Sequence, residues 1–184
     1  MDQNGKPRKI VSLGGTFDVL HKGHEEYIRM GFAHANYAII YVLSDDYARG
    51  LKKYHVRSYA ARVQRLTGFL ETMGIAPNQY EIREINSLAQ LEQELSSEEI
   101  GVAIVVPEYL RLFHEINQKR LMRGKPAILV VIKQRTVTQR HKDISSTAIR
   151  YPACIFDYIP LATVQNIERN KIKCPTESEL LYAW

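Results

Sequence analysis

Cysteine is nearly absent from this chain. Of 184 residues, only Cys154 and Cys174 carry thiols, and neither stands at a metal-ligand or redox spacing. Idle thiols are expected, and nothing points to an oxidising compartment. No apolar run approaches the roughly 18 residues that a membrane span needs. The polar stretch Met1 to Lys9 also lacks a signal peptide's apolar core, so a cytoplasmic protein without a membrane partner is expected. Internal repeats and low-complexity tracts are missing, which excludes a repeat architecture. His34, His55, His114 and His141 are scattered, so no structural metal is expected.

What remains is ordinary for a globular domain: 45% hydrophobic and 24% charged residues. At this length a single fold buries about 70% of its unfolded surface, so disulfides are unnecessary. The net charge is +5, which raises nucleic-acid binding as a possibility. The charge is clustered, however. Arg49, Lys52, Lys53, Arg57, Arg62 and Arg65 occur between Asp46 and Glu71 with no acid among them. Lys133, Arg135, Arg140 and Lys142 form a second cluster. Two local basic clusters with acids elsewhere suit a polyphosphate pocket, and no aromatic–basic nucleic-acid module stands out. No nucleic-acid partner is expected.

The hydrophobic pattern reads as alternating strands and helices. Lys9–Leu13, Ala38–Leu43, Tyr80–Ile85, Val102–Val106 and Ala127–Lys133 read as strands. Between them Glu25–Ala35, Tyr59–Met73, Leu88–Leu95 and Glu108–Arg123 read as helices, with Ser58 a cap and with Gly74 and Gly124 as stops. Ser44-Asp45-Asp46 ends the second strand and the basic loop follows. The order βαβαβαβαβ predicts a Rossmann-like α/β fold: a doubly wound, five-stranded parallel sheet with helices on both faces. Ligands of such sheets sit at the carboxyl ends of the strands. Residues 1–8 are expected to be a loose lead-in, 9–150 the domain, and 151–184 a helical extension packed on the domain or on a second subunit, so a homo-oligomer is an open possibility.

The chain is organised around Gly14-Gly15-Thr16-Phe17-Asp18-Val19-Leu20-His21-Lys22-Gly23-His24. A strand, a glycine-rich turn and a helix start form a phosphate site, because the first-turn N–H groups have no partner within the helix and the dipole favours anions. His21 and His24 are three residues apart and share one helical face. Gly23 permits close approach to the backbone. Two imidazoles and the Thr16 hydroxyl around unpaired N–H groups suit a nucleotide's phosphates. Late in the chain, Ile144-Ser145-Ser146-Thr147-Ala148-Ile149-Arg150 offers three hydroxyls at a helix start, a second phosphate cradle.

The Gly-Thr-Phe-Asp run followed by His-x-Gly-His resembles the signature of the nucleotidylyltransferase superfamily. The Ile144–Arg150 segment is similar to the Ile-Ser-Ser-Thr motif at the end of that domain. The likeness covers roughly residues 9–150 and is greatest to phosphopantetheine adenylyltransferases of the archaeal and eukaryotic type. It rests further on Leu43-Ser44-Asp45 with the Lys/Arg loop, Val106-Pro107-Glu108, and Ile116-Asn117-x-x-Arg120. One departure is Tyr109-Leu110-Arg111-Leu112-Phe113, where that family usually has a small, glycine-containing segment. Asp157-Tyr158-Ile159-Pro160 with Val164 and Ile167 is similar to the end of nicotinate-mononucleotide adenylyltransferases, which keeps that activity as an alternative. A cytidylyltransferase and a non-catalytic nucleotide-binding regulator are further alternatives.

The resemblance implies a transferase joining 4′-phosphopantetheine and ATP to give dephospho-coenzyme A and pyrophosphate, with Mg²⁺ accompanying the ATP and few protein groups touching it. It places His24 at the α-phosphate and the transition state. His21 lies at the phosphates, with Gly15, Phe17 and Gly23 in the nucleotide-binding turn. Thr16 positions the attacking phosphate. Lys53, or else Lys52, bridges nucleophile and α-phosphate. Ser145, Ser146 and Thr147 hold the β- and γ-phosphates. Arg57, Glu108 and Arg120 are expected substrate contacts.

Overall fold

A computed structural model describes residues 8–52, 54–97 and 99–134. Five strands form one parallel sheet: β1 (Ile10–Gly15), β2 (Tyr37–Leu43), β3 (Tyr80–Ile85), β4 (Ile100–Val105) and β5 (Leu129–Ile132), in the order β3-β2-β1-β4-β5. Helices α1 (Lys22–His34), α2 (Asp45–Leu51), α3 (Tyr59–Thr72), α4 (Leu88–Ser97) and α5 (Leu110–Met122) connect them, with short 3₁₀ turns at Pro77–Gln79 and Pro107–Tyr109. This is the expected Rossmann-like architecture. The expected helix start at Ile144–Arg150 and the whole expected helical extension from 151 lie outside the described residues.

The two faces of the sheet carry separate cores. Val11, Leu13, Ala38, Ile40, Val42, Val102 and Ile104 pack under Ile28 of α1 and Leu66 and Leu70 of α3. Ile39, Tyr41, Ala103 and Val105 pack under Leu95 of α4 with Phe113 and Ile116 of α5. Ala38 through Val42 are therefore all buried, as a central parallel strand requires. Helix α1 lies unusually close to β1: a Cβ on Gly31 would stand 3.1 Å from a Leu13 methyl. Because β1 pairs in parallel with both β2 and β4, the order in which strands are added to the sheet reverses between β1 and β4. Their carboxyl ends form the switch point.

Helix ends follow the local chemistry. Ser58 Oγ accepts from the Ala61 N–H. Gly74 and Gly124 adopt left-handed φ values of 76° and 69°. In each case the glycine N–H and the next N–H fold back onto carbonyls of the last turn, at Glu71 and Leu70 and at Leu121 and Arg120. Two segments differ from expectation. Ser44-Asp45-Asp46 does not simply end β2: Ser44 Oγ accepts from the Tyr47 N–H, two aspartates favour the positive end of the dipole, and α2 forms where a loop was expected. The segment Glu108–Arg123 splits into a 3₁₀ turn and α5. No described helix is long and apolar enough to cross a membrane.

Candidate active site

At the carboxyl end of β1 the chain must turn sharply from strand to helix. Phe17 makes that turn with φ 52°, a left-handed conformation that costs a residue with a Cβ roughly 1–2 kcal/mol. Three contacts hold it. The Phe17 ring is buried against Gly15, where an added Cβ would meet it at 3.1 Å. Arg62 Nη1 donates to the Thr16 carbonyl at 3.0 Å. The buried Asp18 carboxylate accepts from the Arg57 N–H at 3.1 Å and from Arg57 Nη1 at 3.2 Å.

Arg62 is the centre of this framework. It is 0% exposed, and besides Thr16 it donates from Nε to the Arg57 carbonyl at 2.9 Å and from Nη2 to Asp45 Oδ1 at 3.0 Å. One guanidinium thus ties the turn after β1, the basic loop and the first turn of α2 to one another. Arg57 in turn donates from Nη1 to the Asp18 carbonyl at 2.9 Å. The basic loop is docked on the glycine-rich turn through these two arginines.

Helix α1 begins with His21 as its N-cap, whose Nδ1 accepts from the Gly23 N–H at 3.1 Å. In the neutral ring that bond puts the proton on Nε2. The His21 and His24 rings lie 4.0 Å apart between centroids, and Phe17 backs His24 at 5.4 Å. His21 Nε2 and His24 Nδ1 are buried without a hydrogen-bond partner among the described residues. Burial pushes His21 down to about 4 and His24 to about 3. The Lys133 ammonium adds to both shifts, and His21 adds to that of His24. Both imidazoles are therefore neutral at pH 7, and each keeps a buried nitrogen with no partner among the described residues.

Tyr27, one turn into α1, closes the floor of the switch point. Its hydroxyl accepts from the Gly14 N–H at 2.9 Å and donates to the Ile104 carbonyl at 3.1 Å, so it spans β1 and β4. Burial raises its pKa, which keeps it a donor. Lys52 ends α2, and burial lowers its ammonium to about 8. Glu108 stands exposed in the turn after β4, at the same edge of the sheet.

The structure thus brings Gly15, Thr16, Phe17, His21, Gly23, His24 and Arg57 together. It also refines several of the roles expected for them. The Phe17 ring faces inward, so it shapes the turn. The Gly23 N–H is used by the His21 cap. Arg57 gives Nη1 to Asp18. Arg120 is a correction. It is 2% exposed and donates to the carbonyls of Pro126, Leu95 and Ile100 at 2.9, 2.7 and 3.2 Å. These flank the amino ends of β4 and β5, opposite the histidines, so Arg120 joins α4, β4 and α5 and is not a substrate contact. Lys53, Ser145, Ser146 and Thr147 lie outside the described residues. Asp18, Tyr27, Arg62 and Lys133 were not among the expected site residues. Arg62 had one legible signal, its place four and eight residues before Leu66 and Leu70 on the buried stripe of α3.

A cage of three or more His, Cys, Asp or Glu side chains is absent among the described residues, and the Asp18 carboxylate is engaged by Arg57. The donor set of this site suits a polyanion.

A family model described as cytidylyltransferase-like matches residues 12–151. A phosphopantetheine adenylyltransferase from Methanosarcina mazei is 31% identical over 141 residues, 76% of this chain and 88% of that protein. One from Thermococcus gammatolerans is 33% identical over 148 residues, 79% of this chain and 89% of that protein. Among solved structures, a protein of unknown function from Archaeoglobus fulgidus is similar with a TM-score of 0.58 and 27% identity, covering 73% of this chain and 98% of its own.

Proposed function

The chain belongs to the cytidylyltransferase-like family of nucleotidyltransferases, and from that premise we propose that it is a phosphopantetheine adenylyltransferase. It joins 4′-phosphopantetheine and MgATP to give dephospho-coenzyme A and pyrophosphate, a step of coenzyme A biosynthesis. The relatives at about 30% identity support the acceptor. The observation that carries the chemistry is the buried imidazole pair at the start of α1, each ring with a nitrogen that has no partner among the described residues.

A phosphate oxygen of the acceptor attacks the α-phosphorus of ATP in line. A new P–O bond forms as the bond to the bridging oxygen breaks, and pyrophosphate leaves. The protein has little covalent chemistry to do; it positions two polyanions and stabilises the charge that shifts between their oxygens. The first turn of α1 and the neutral rings of His21 and His24 supply donors to the nucleotide phosphates, with His24 at the α-phosphate. Thr16, in the turn held by Arg62, positions the attacking phosphate. Lys52 or Lys53 screens the repulsion between the two substrates, with Arg57 beside them. Ser145, Ser146 and Thr147 take the β- and γ-phosphates, and Glu108 borders the acceptor side. Mg²⁺ is a part of the nucleotide substrate and neutralises its phosphates.

The test is a panel of acceptors scored for pyrophosphate release with MgATP. Turnover on 4′-phosphopantetheine is expected. Turnover confined to nicotinate mononucleotide would replace the acceptor, dependence on CTP would replace the nucleotide, and ATP binding without any turnover would make the chain a regulator.

A further inference from the structure

Lys133 lies just beyond β5 and its ammonium is buried. Its main-chain N–H donates to the Val105 carbonyl at 2.8 Å, which carries the β4–β5 ladder one residue further toward the switch point. Its side chain is only 8% exposed. Nζ donates to the Gln134 carbonyl at 3.0 Å and stands 3.5 Å from Glu26 Oε2. Glu26 sits on α1 two residues after His24, beside Tyr27, which bonds the Ile104 carbonyl next to Val105. The ammonium is thereby held against the first two turns of α1.

That is a costly place for a cation. A buried lysine charge loses hydration, the positive end of the α1 dipole repels it, and the Glu26 partner is long and 41% exposed on its side chain. On α1 its ion-pair partner is Glu26, and its charge also acts on His21 and His24. Its field already reaches both rings, because it helps to hold each below the ordinary imidazole range. An ammonium, two neutral rings with buried nitrogens and a helix start, gathered in one place, gain together from one thing: an anion with several oxygens.

We propose that Lys133 is a phosphate-binding residue of the nucleotide site, presented by the end of β5 beside the imidazole pair, with Glu26 holding its ammonium until the polyphosphate takes it over. This rests on the reading of the site as one for adenylyl transfer. Glu26 is then an internal competitor of the nucleotide, and Lys133 a contact that none of the motif residues supplies.

The experiment titrates the full chain with MgATP, inorganic tripolyphosphate and adenosine, and follows the imidazole protons by NMR. Lys133→Met is expected to weaken MgATP and tripolyphosphate by at least about tenfold, as loss of a charge-assisted contact does. Adenosine binding stays unchanged, the histidine titrations move upward, and Lys133→Arg restores much of the affinity. Glu26→Gln is expected to tighten tripolyphosphate. Tripolyphosphate affinity within about twofold of wild type in Lys133→Met overturns the proposal. If that variant does not fold, Glu26→Gln decides: tighter binding supports the proposal, and unchanged or weaker binding overturns it. The binding arms read Lys133 whatever the acceptor, whereas a wild-type chain that binds tripolyphosphate but releases no pyrophosphate overturns only the catalytic reading.

Discussion

Replacing Arg62 by methionine tests whether the strand-to-helix turn is held by α3. The side chain fills a similar volume but loses all three donors. Asp45 is 40% exposed on its side chain and rehydrates, so its share of the loss is below about 1 kcal/mol. The carbonyls of Thr16 and Arg57 are left without their donor, at about 1–3 kcal/mol each. Relief from burying a charge offsets part of this. The net cost is then about 3 kcal/mol, small enough for a domain of ordinary stability, at about 5–15 kcal/mol, to remain folded. Function should suffer more. With the Thr16 carbonyl released, the strained Phe17 conformation relaxes and the donors of the turn move, and a misplacement of about 1 Å costs on the order of 100-fold in rate. Arg62→Lys falls between, because one ammonium cannot span three acceptors. Urea unfolding gives the first quantity and pyrophosphate release the second. A methionine variant with an unshifted midpoint and kcat within about threefold of wild type would refute the reasoning.

Four further outcomes follow from the structure. His24→Ala should lower kcat by at least about 100-fold with a small change in unfolding midpoint, since the ring acts chiefly in the transition state; steady-state kinetics on the folded variant checks this. Lys52 is charged below about 8 and loses its charge above it, so binding of the anionic substrates should decline as pH rises through 8, and Lys52→Arg should abolish that decline in a pH series of KM. Because the folded pKa values of His21 and His24 lie below the unfolded value of 6.5, the unfolded chain takes up protons first on acidification; folding stability should fall as pH drops from about 6.5 toward 4, measured by denaturation at stepped pH. Arg120→Met should lower the melting temperature yet leave the KM for phosphorylated substrates unchanged, which separates its framework role from an anion contact.

The amino-acid sequence by itself determined the alternation of strands and helices, the place of the glycine stops and the location of the imidazole pair. Each is written in short-range chemistry: apolar runs for buried strands, Ser58 as a cap, Gly74 and Gly124 where φ must turn positive. The short helix α2 was legible in principle, since Ser44 before two aspartates is a cap, but the basic residues that follow mask it. What only the tertiary structure decided is which cations hold the frame. Arg57, Arg62, Arg120 and Lys133 are alike in sequence, each a cation near a motif. The fold surrounds Arg120 with main-chain carbonyls, gives Arg62 two such carbonyls and the Asp45 carboxylate, pairs Arg57 with Asp18, and sets Lys133 against Glu26 of α1. A cation's role is set by the acceptors that long-range packing brings within about 3 Å of it, and those come from segments far apart along the chain.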